Sequence, residues 1–199
     1  MKPWHKLLVT CGAILLSVLE ADPVQAQKAG GILRISHRDS PPSGSIHEES
    51  TTSTVVPFMS VFNNLVLFDQ SIAQNRIENI VPDLATSWSW SDDGKRLTFM
   101  LREGVRWHDG QPFTARDVQC TWDMLKEKSA SLKLRKNPRD TWYANLEEVS
   151  VDGDHGATFH LKRQQPAFLA LLASGYSPVH PCHVPPRDMR TRPIGTGPF

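Results

Sequence analysis

Residues 96–118 read RLTFMLREGVRWHDGQPFTARDV, and the order of residue types in this run fixes the local architecture. Leu97, Phe99 and Leu101 alternate with Arg96, Thr98, Met100 and Arg102, the period-two pattern of a strand with one buried face. Upstream, SDDGK (91–95) is a turn, because Asp93-Gly94 tolerates positive φ. Downstream, Glu103-Gly104 turns the chain, Val105 and Trp107 return to the apolar side, and HDGQPF turns it again. Thr114 precedes Asp117 by three, the spacing of a capping box. The helix behind it sets Val118, Trp122 and Leu125 on one stripe, at i, i+4 and i+7. The run is therefore a hairpin feeding a capped helix, and it contains no evident catalytic group.

The flanks extend this pattern. Ile32 to Ser36 alternate as a short strand stopped by Pro41 and Pro42, and the spacing of Phe58, Val61, Phe62 and Leu65 predicts a helix that frays at Asn63 and Asn64. A strand at LVLFD follows, and Leu84, Trp88 and Trp90 anchor a turn and a short strand. Residues 126–140, KEKSASLKLRKNPRD, form a basic connector expected to be solvated and mobile. A second hairpin runs Val149, Val151, the turn DGDHG, Phe159 and Leu161. Pro166 suits the first turn of a helix carrying Phe168, Leu169, Leu171 and Leu172. YSPVHPCHVPP reads as a surface loop. Short strands interleaved with capped helices give an α/β (mixed α+β) fold class.

The composition is that of a soluble globular chain. Of 199 residues, 39% are hydrophobic and 22% charged, and the formal charge of +1 lacks the basic footprint of a nucleic-acid binder. The N-terminus reads differently: Lys2, His5 and Lys6 precede an apolar run from Leu7 to Leu19, and VQA ends at Ala26. This is the pattern of a secretory signal peptide over residues 1–26, leaving 27–199 as the mature part. Thirteen apolar residues reach only about 20 Å as a helix, short of a bilayer core of roughly 30 Å. Export implies an oxidising compartment in which Cys120 and Cys182 can pair, although two cysteines alone do not establish a bond.

Beyond these local readings, VPDLATSWSWSDDGKRLTFMLREGVRWHDGQPFTARDV (81–118) resembles the segment shared by family 5 extracellular solute-binding proteins, the oligopeptide and dipeptide receptors of ABC importers. The match runs through Pro82, Leu84, Ser87, Trp88, Gly94, Phe99, Arg102, Gly104, Trp107, Asp109, Gly110, Pro112, Thr114, Asp117 and Val118. GGILRIS, VFNNLVLFD, ATFHL and the closing PIGTGPF fit as well. The resemblance implies a two-lobed, periplasmic-binding-protein type II-like fold, of which 27–199 form part of the first lobe: a first strand, a hairpin-rich subdomain and the start of a main lobe. It also implies a periplasmic receptor that passes short peptides or related solutes to ABC permease subunits. Contact with the membrane is then peripheral, through the inner-membrane complex, and no cofactor is expected.

In such a family the loop after the first strand borders the cleft, so Arg38, Asp39 and Ser40 are candidate ligand contacts: Arg38 for a carboxylate, Asp39 for an amine. Trp142 and Tyr143 could form an aromatic wall. His180, Cys182 and His183 are weak metal candidates that need a converging fourth group, and His47, Glu48 and Glu49 are weaker still. They keep open a nickel, metal-complex or haem receptor of the same family, and a secreted metallohydrolase. No G-x-S-x-G, H-E-x-x-H, phosphate loop or C-x-x-C motif occurs.

Overall fold

The structure is a computed structural model that describes residues 32, 34, 36, 37 and 39–199. Backbone contacts divide the chain into two units, Met1–Ser36 and His37–Phe199. The expected signal segment and Arg38 lie outside the described residues. In the first unit, Ile32, Arg34 and Ser36 take no regular structure, and no strand among the described residues pairs with them. Leu33 and Ile35 of the strand expected there also lie outside the described residues.

The second unit is built around the quoted stretch. β3 (Ala85–Trp90), β4 (Arg96–Leu101), β5 (Leu146–Asp152) and β6 (Gly156–Leu161) form one antiparallel sheet in the order β3-β4-β6-β5. The alternation in β4 is realised: Leu97, Phe99 and Leu101 are buried, whereas Met100 stands 51% exposed. Gly94, Gly104, Gly110 and Gly153 all take positive φ, each in a turn where the sequence places a Gly beside polar residues. Val149 is buried, whereas Val151, at the turn end of β5, is exposed.

Helix α2 (Ala115–Leu125) lies against β5 and β6. Its capping box forms, with the Asp117 carboxylate accepting the Thr114 N–H at 2.9 Å. Val118, Trp122 and Leu125 are all buried, and the Trp122 ring meets Phe159 edge-on at 4.7 Å. Phe159 in turn meets Phe99 at 5.6 Å and Phe168 at 5.8 Å, so sheet, α2 and α3 (Phe168–Leu172) share one aromatic interior. Burial of each such side chain is worth about 1.5–3 kcal/mol. Trp107 is buried, and Trp88 and Trp90 pack half-buried on the same core.

A smaller ladder pairs β1 (Val66–Phe68) with β2 (Ile80–Pro82). Ahead of it, α1 covers Thr52–Phe58 and stops before Phe62. Phe62 is buried, but outside the helix that the spacing predicts for it. Pro57 lies in the last turn of α1, and the Val61 carbonyl accepts the N–H of Gly197 at 3.0 Å instead of continuing a helical ladder.

Two connecting stretches depart from the sequence expectation. The basic connector is packed: Leu132 and Arg139 are buried, and residues 135–139 bind the 46–49 segment. The YSPVHPCHVPP stretch is largely interior, with Ser177, Val179 and His180 buried, and it leads into α4 (Pro186–Met189). A buried loop must find partners for its backbone groups. Here Val179 N–H reaches the Asn63 carbonyl (3.0 Å), His180 N–H the Thr121 hydroxyl (2.9 Å) and Cys182 N–H the Asp117 carboxylate (2.9 Å). Cys120 and Cys182 form a disulfide, joining α2 to this loop. Among the described residues, no helix is long and apolar enough to cross a membrane.

Candidate functional site

A cleft of about 470 Å³ opens between the chain after α1, the β1–β2 region and the loop after α3. Met59 and Phe62 give it an apolar side; Asn63, Asn64 and Asp83 give it a polar side; Tyr176 stands at its edge. The Asp83 carboxylate accepts the Asn63 side-chain amide at 2.8 Å and the Asn64 N–H at 2.9 Å. Burial raises the Asp83 carboxyl above its usual range, and those hydrogen bonds oppose the rise. Asn64 donates its side-chain N–H groups to the carbonyls of Leu172 (3.2 Å) and Ser174 (2.6 Å), which ties the far wall to the near one.

Tyr176 links the cleft to the surface. The exposed edge of Trp142 (38% accessible) meets it in a T-shaped contact at 5.5 Å, and the Arg139 guanidinium lies 5.3 Å from its ring centre. Arg139 is fully buried. It donates to the carbonyls of Ile46 and Glu49 and, at 3.3 Å, to Nδ1 of His47. Glu48, also fully buried, receives Nε and Nη2 of Arg190 at 2.7 and 2.8 Å and the Arg135 N–H at 2.6 Å. Lys136 meets Glu49 at 3.0 Å. Burial is the larger influence on Glu48, but the Arg190 and Arg135 contacts prevail and hold its pKa below the usual value. His47 is held well below its ordinary pKa by burial, then by Arg139 and His180. Burial likewise pushes His180 down to about 4.

Of the residues singled out in the sequence, Trp142 reaches the surface beside the cleft. Asp39 is exposed and accepts the Ser53 hydroxyl at 2.8 Å; Ser40 is exposed as well. Tyr143 cannot serve as a wall. It is fully buried, its hydroxyl 2.8 Å from Ser177 Oγ and its ring edge-on to Trp122, so it belongs to the core. The metal candidates do not converge. His180 Nε2–H donates to the Val184 carbonyl at 2.8 Å, Cys182 is spent on the disulfide, and His183 Nε2 pairs with Asp109 at 2.6 Å. His47, Glu48 and Glu49 are occupied by Arg139, Arg190 and Lys136 respectively. Among the described residues, Asp117, Cys120 and Cys182 do bring ligand atoms together, but both sulfurs are in the disulfide and the carboxylate caps α2.

The polar wall is not legible locally: the sequence pattern predicts a frayed helix end at Asn63 and Asn64, a turn at Asp83 and a loop at Tyr176. Two adjacent amides between apolar runs were the available signal, since buried amides require dedicated partners.

The profile of the bacterial extracellular solute-binding proteins, family 5 (middle region), matches residues 79–199. A Brucella ovis protein, provisionally named an ABC transporter peptide-binding protein, is 30% identical over 165 residues, covering 78% of this chain and 29% of its own length. A di/tripeptide-binding protein of Pseudomonas aeruginosa is 29% identical, covering 79% of the chain and 33% of its own length. The solved structure of the solute-binding protein MoaA from A. tumefaciens R10, in complex with mannopinic acid, superposes with a TM-score of 0.67 at 27% identity, over 79% of this chain and 31% of that one. The chain thus spans about three tenths of the length of the curated relatives it matches.

Proposed function

The chain belongs to the bacterial extracellular solute-binding proteins of family 5, and from that membership we propose that it is the N-terminal part of a receptor that encloses a short peptide or related small solute and delivers it to an ABC transporter. In this reading residues 1–26 direct export to the periplasm and are removed, and 27–199 form part of the first of two lobes. Permease subunits are the protein partners, met at the inner membrane. The receptor binds without turnover.

The observation that carries the reading is the surface pair Trp142–Tyr176 beside a cleft lined by Asn63, Asn64 and Asp83. An aromatic edge offers apolar contact to varied side chains, and amide and carboxylate groups match the N–H and C=O groups of a peptide. Water between such groups and a solute tolerates differences among side chains. Asp39 is assigned to a solute amine, Arg38 to its carboxylate and Ser40 to a neutral polar group. The similar MoaA is solved in complex with mannopinic acid, which supports including small solutes other than peptides.

Native mass spectrometry of the purified chain against defined di- and tripeptides tests this. A single lobe offers one wall, so the expected result is weak peptide adducts, no stoichiometric nickel, zinc or haem, and no peptide cleavage. Stoichiometric metal or haem would favour a metal-complex or haem receptor, and cleavage a metallohydrolase; either result overturns the reading.

A further inference from the structure

The quoted stretch contains His108, an exposed residue in the WHDG turn that neither the core nor the proposed solute contacts use. Its backbone and ring grip a distant segment. His108 N–H donates to the Gly195 carbonyl at 3.0 Å; Gly195 N–H donates to Nδ1 at 3.3 Å; Nε2 lies 2.8 Å from the Gly197 carbonyl. An N–H needs an acceptor and a carbonyl needs a donor, so the two ring contacts together require the neutral imidazole with its proton on Nε2. The ring reads both sides of the Gly195–Thr196–Gly197 strap.

That strap rests on the segment that builds the cleft. Gly197 N–H donates to the Val61 carbonyl at 3.0 Å. A Cβ on Gly195 would collide with the Val61 carbonyl and one on Gly197 with the Ser60 carbonyl, so the approach admits no side chain at either position. Between them, the Thr196 hydroxyl donates to Asn63 Oδ1 at 2.9 Å, which leaves the Asn63 amide N–H group facing Asp83 at 2.8 Å. The Thr196 contact therefore fixes which way the Asn63 amide points. The sequence separations are 87 and 89 for the His108 ring contacts and 133 for Thr196–Asn63, which makes this a relay assembled by the fold.

We infer that His108 is a positioning residue: through the Gly195–Gly197 strap it orients Asn63, and with it the Asn63–Asp83 wall of the cleft. The inference concerns geometry present in the unliganded chain and stands whether or not the solute is a peptide.

Amide hydrogen exchange of the chain, read by NMR, tests it without a ligand. His108→Ala should accelerate exchange at Gly195 and Gly197, and also at Asn64 (bonded to Asp83) and Val179 (bonded to Asn63), by about tenfold or more, with the β4 and β6 amides unchanged. His108→Gln supplies one acceptor and one donor on a neutral amide at similar spacing and should restore Asn64 and Val179 to near wild-type rates. Thr196→Val cuts the relay one step later: it should accelerate Asn64 and shift the Asp83 carboxyl titration upward, leaving Gly195 protected. Three results overturn the inference: Asn64 and Val179 unmoved in His108→Ala, His108→Gln behaving as His108→Ala, or uniform acceleration including β4 and β6. If His108→Ala does not fold, Thr196→Val with an unmoved Asp83 titration overturns it alone.

Discussion

In the sheet and α2 most buried groups are apolar, and each is marked by a period that is local in sequence. In the seam between residues 46–49, residues 135–139 and Arg190, fully buried Glu48 and Arg139 are joined to partners 87 to 142 residues away. The first region is stabilised by removing hydrocarbon from water, a non-directional effect that tolerates approximate shape. The second holds buried charge, which is destabilised when a partnered donor or acceptor loses its partner. Single changes should therefore act differently: in the sheet through lost volume, in the seam through stranded charge and through pH.

The largest effect is expected in the apolar region. Trp122 is 1% exposed and touches Phe159 and Tyr143 edge-on, so Trp122→Ala should cost about 3–5 kcal/mol, read from urea unfolding at constant m. A cost below 1 kcal/mol would remove the contrast, because the aromatic interior would then carry little of the stability.

Next comes the acid response of the buried histidines, His47 in the seam and His180 beside it at 6.1 Å between ring centres. A His180 pKa lowered to about 4 means that the unfolded chain binds more protons between about pH 6.5 and pH 4. The stabilising neutral form is fully present above about pH 6.5, and its contribution is lost as pH falls to about 4, on the order of 3 kcal/mol. His47 acts in the same direction. Unfolding midpoints measured across this range should fall with pH, and His180→Gln should flatten the slope; an unchanged slope would relocate the titration elsewhere.

Glu48→Gln keeps the shape and removes the charge that receives Arg190, for an expected loss of about 2 kcal/mol. Glu48 is held below its usual pKa, so its contribution is present above the unfolded value of 4.5 and lost as pH falls through the lower folded value. The difference between wild type and variant should accordingly shrink below about pH 4.5; a difference that persists there would assign the effect to packing. The smallest change is Gly94→Ala, where φ is +62° and the nearest neighbour of an added Cβ is the flexible Gln164 side chain at 3.2 Å. It should cost about 1 kcal/mol, seen as a small drop in Tm.

The same contrast governs how much the sequence revealed. Leu97, Phe99 and Leu101 announce their burial by alternation, and Val118, Trp122 and Leu125 by helical spacing, because both periods are local. The capping box at Thr114 and Asp117 was legible for the same reason. Arg139 and Lys136 read as solvated because nothing near them in sequence shows that Glu48 and Glu49 stand opposite. Tyr143 and Trp142 are adjacent, yet one fills the core and the other meets Tyr176, a division set by residues more than 30 positions away. Asn63, Asn64 and Asp83 form a wall only once the loop after α3 closes over them.

NMR of the tryptophan indole N–H groups tests the central claim most directly, namely that the packed hairpin unit is scaffold and the solute meets the Trp142–Tyr176 edge. During titration of the chain with trialanine to millimolar concentration, the Trp142 indole signal should move progressively while those of Trp107 and Trp122 stay fixed. Movement at Trp107 or Trp122 with Trp142 stationary would contradict the account.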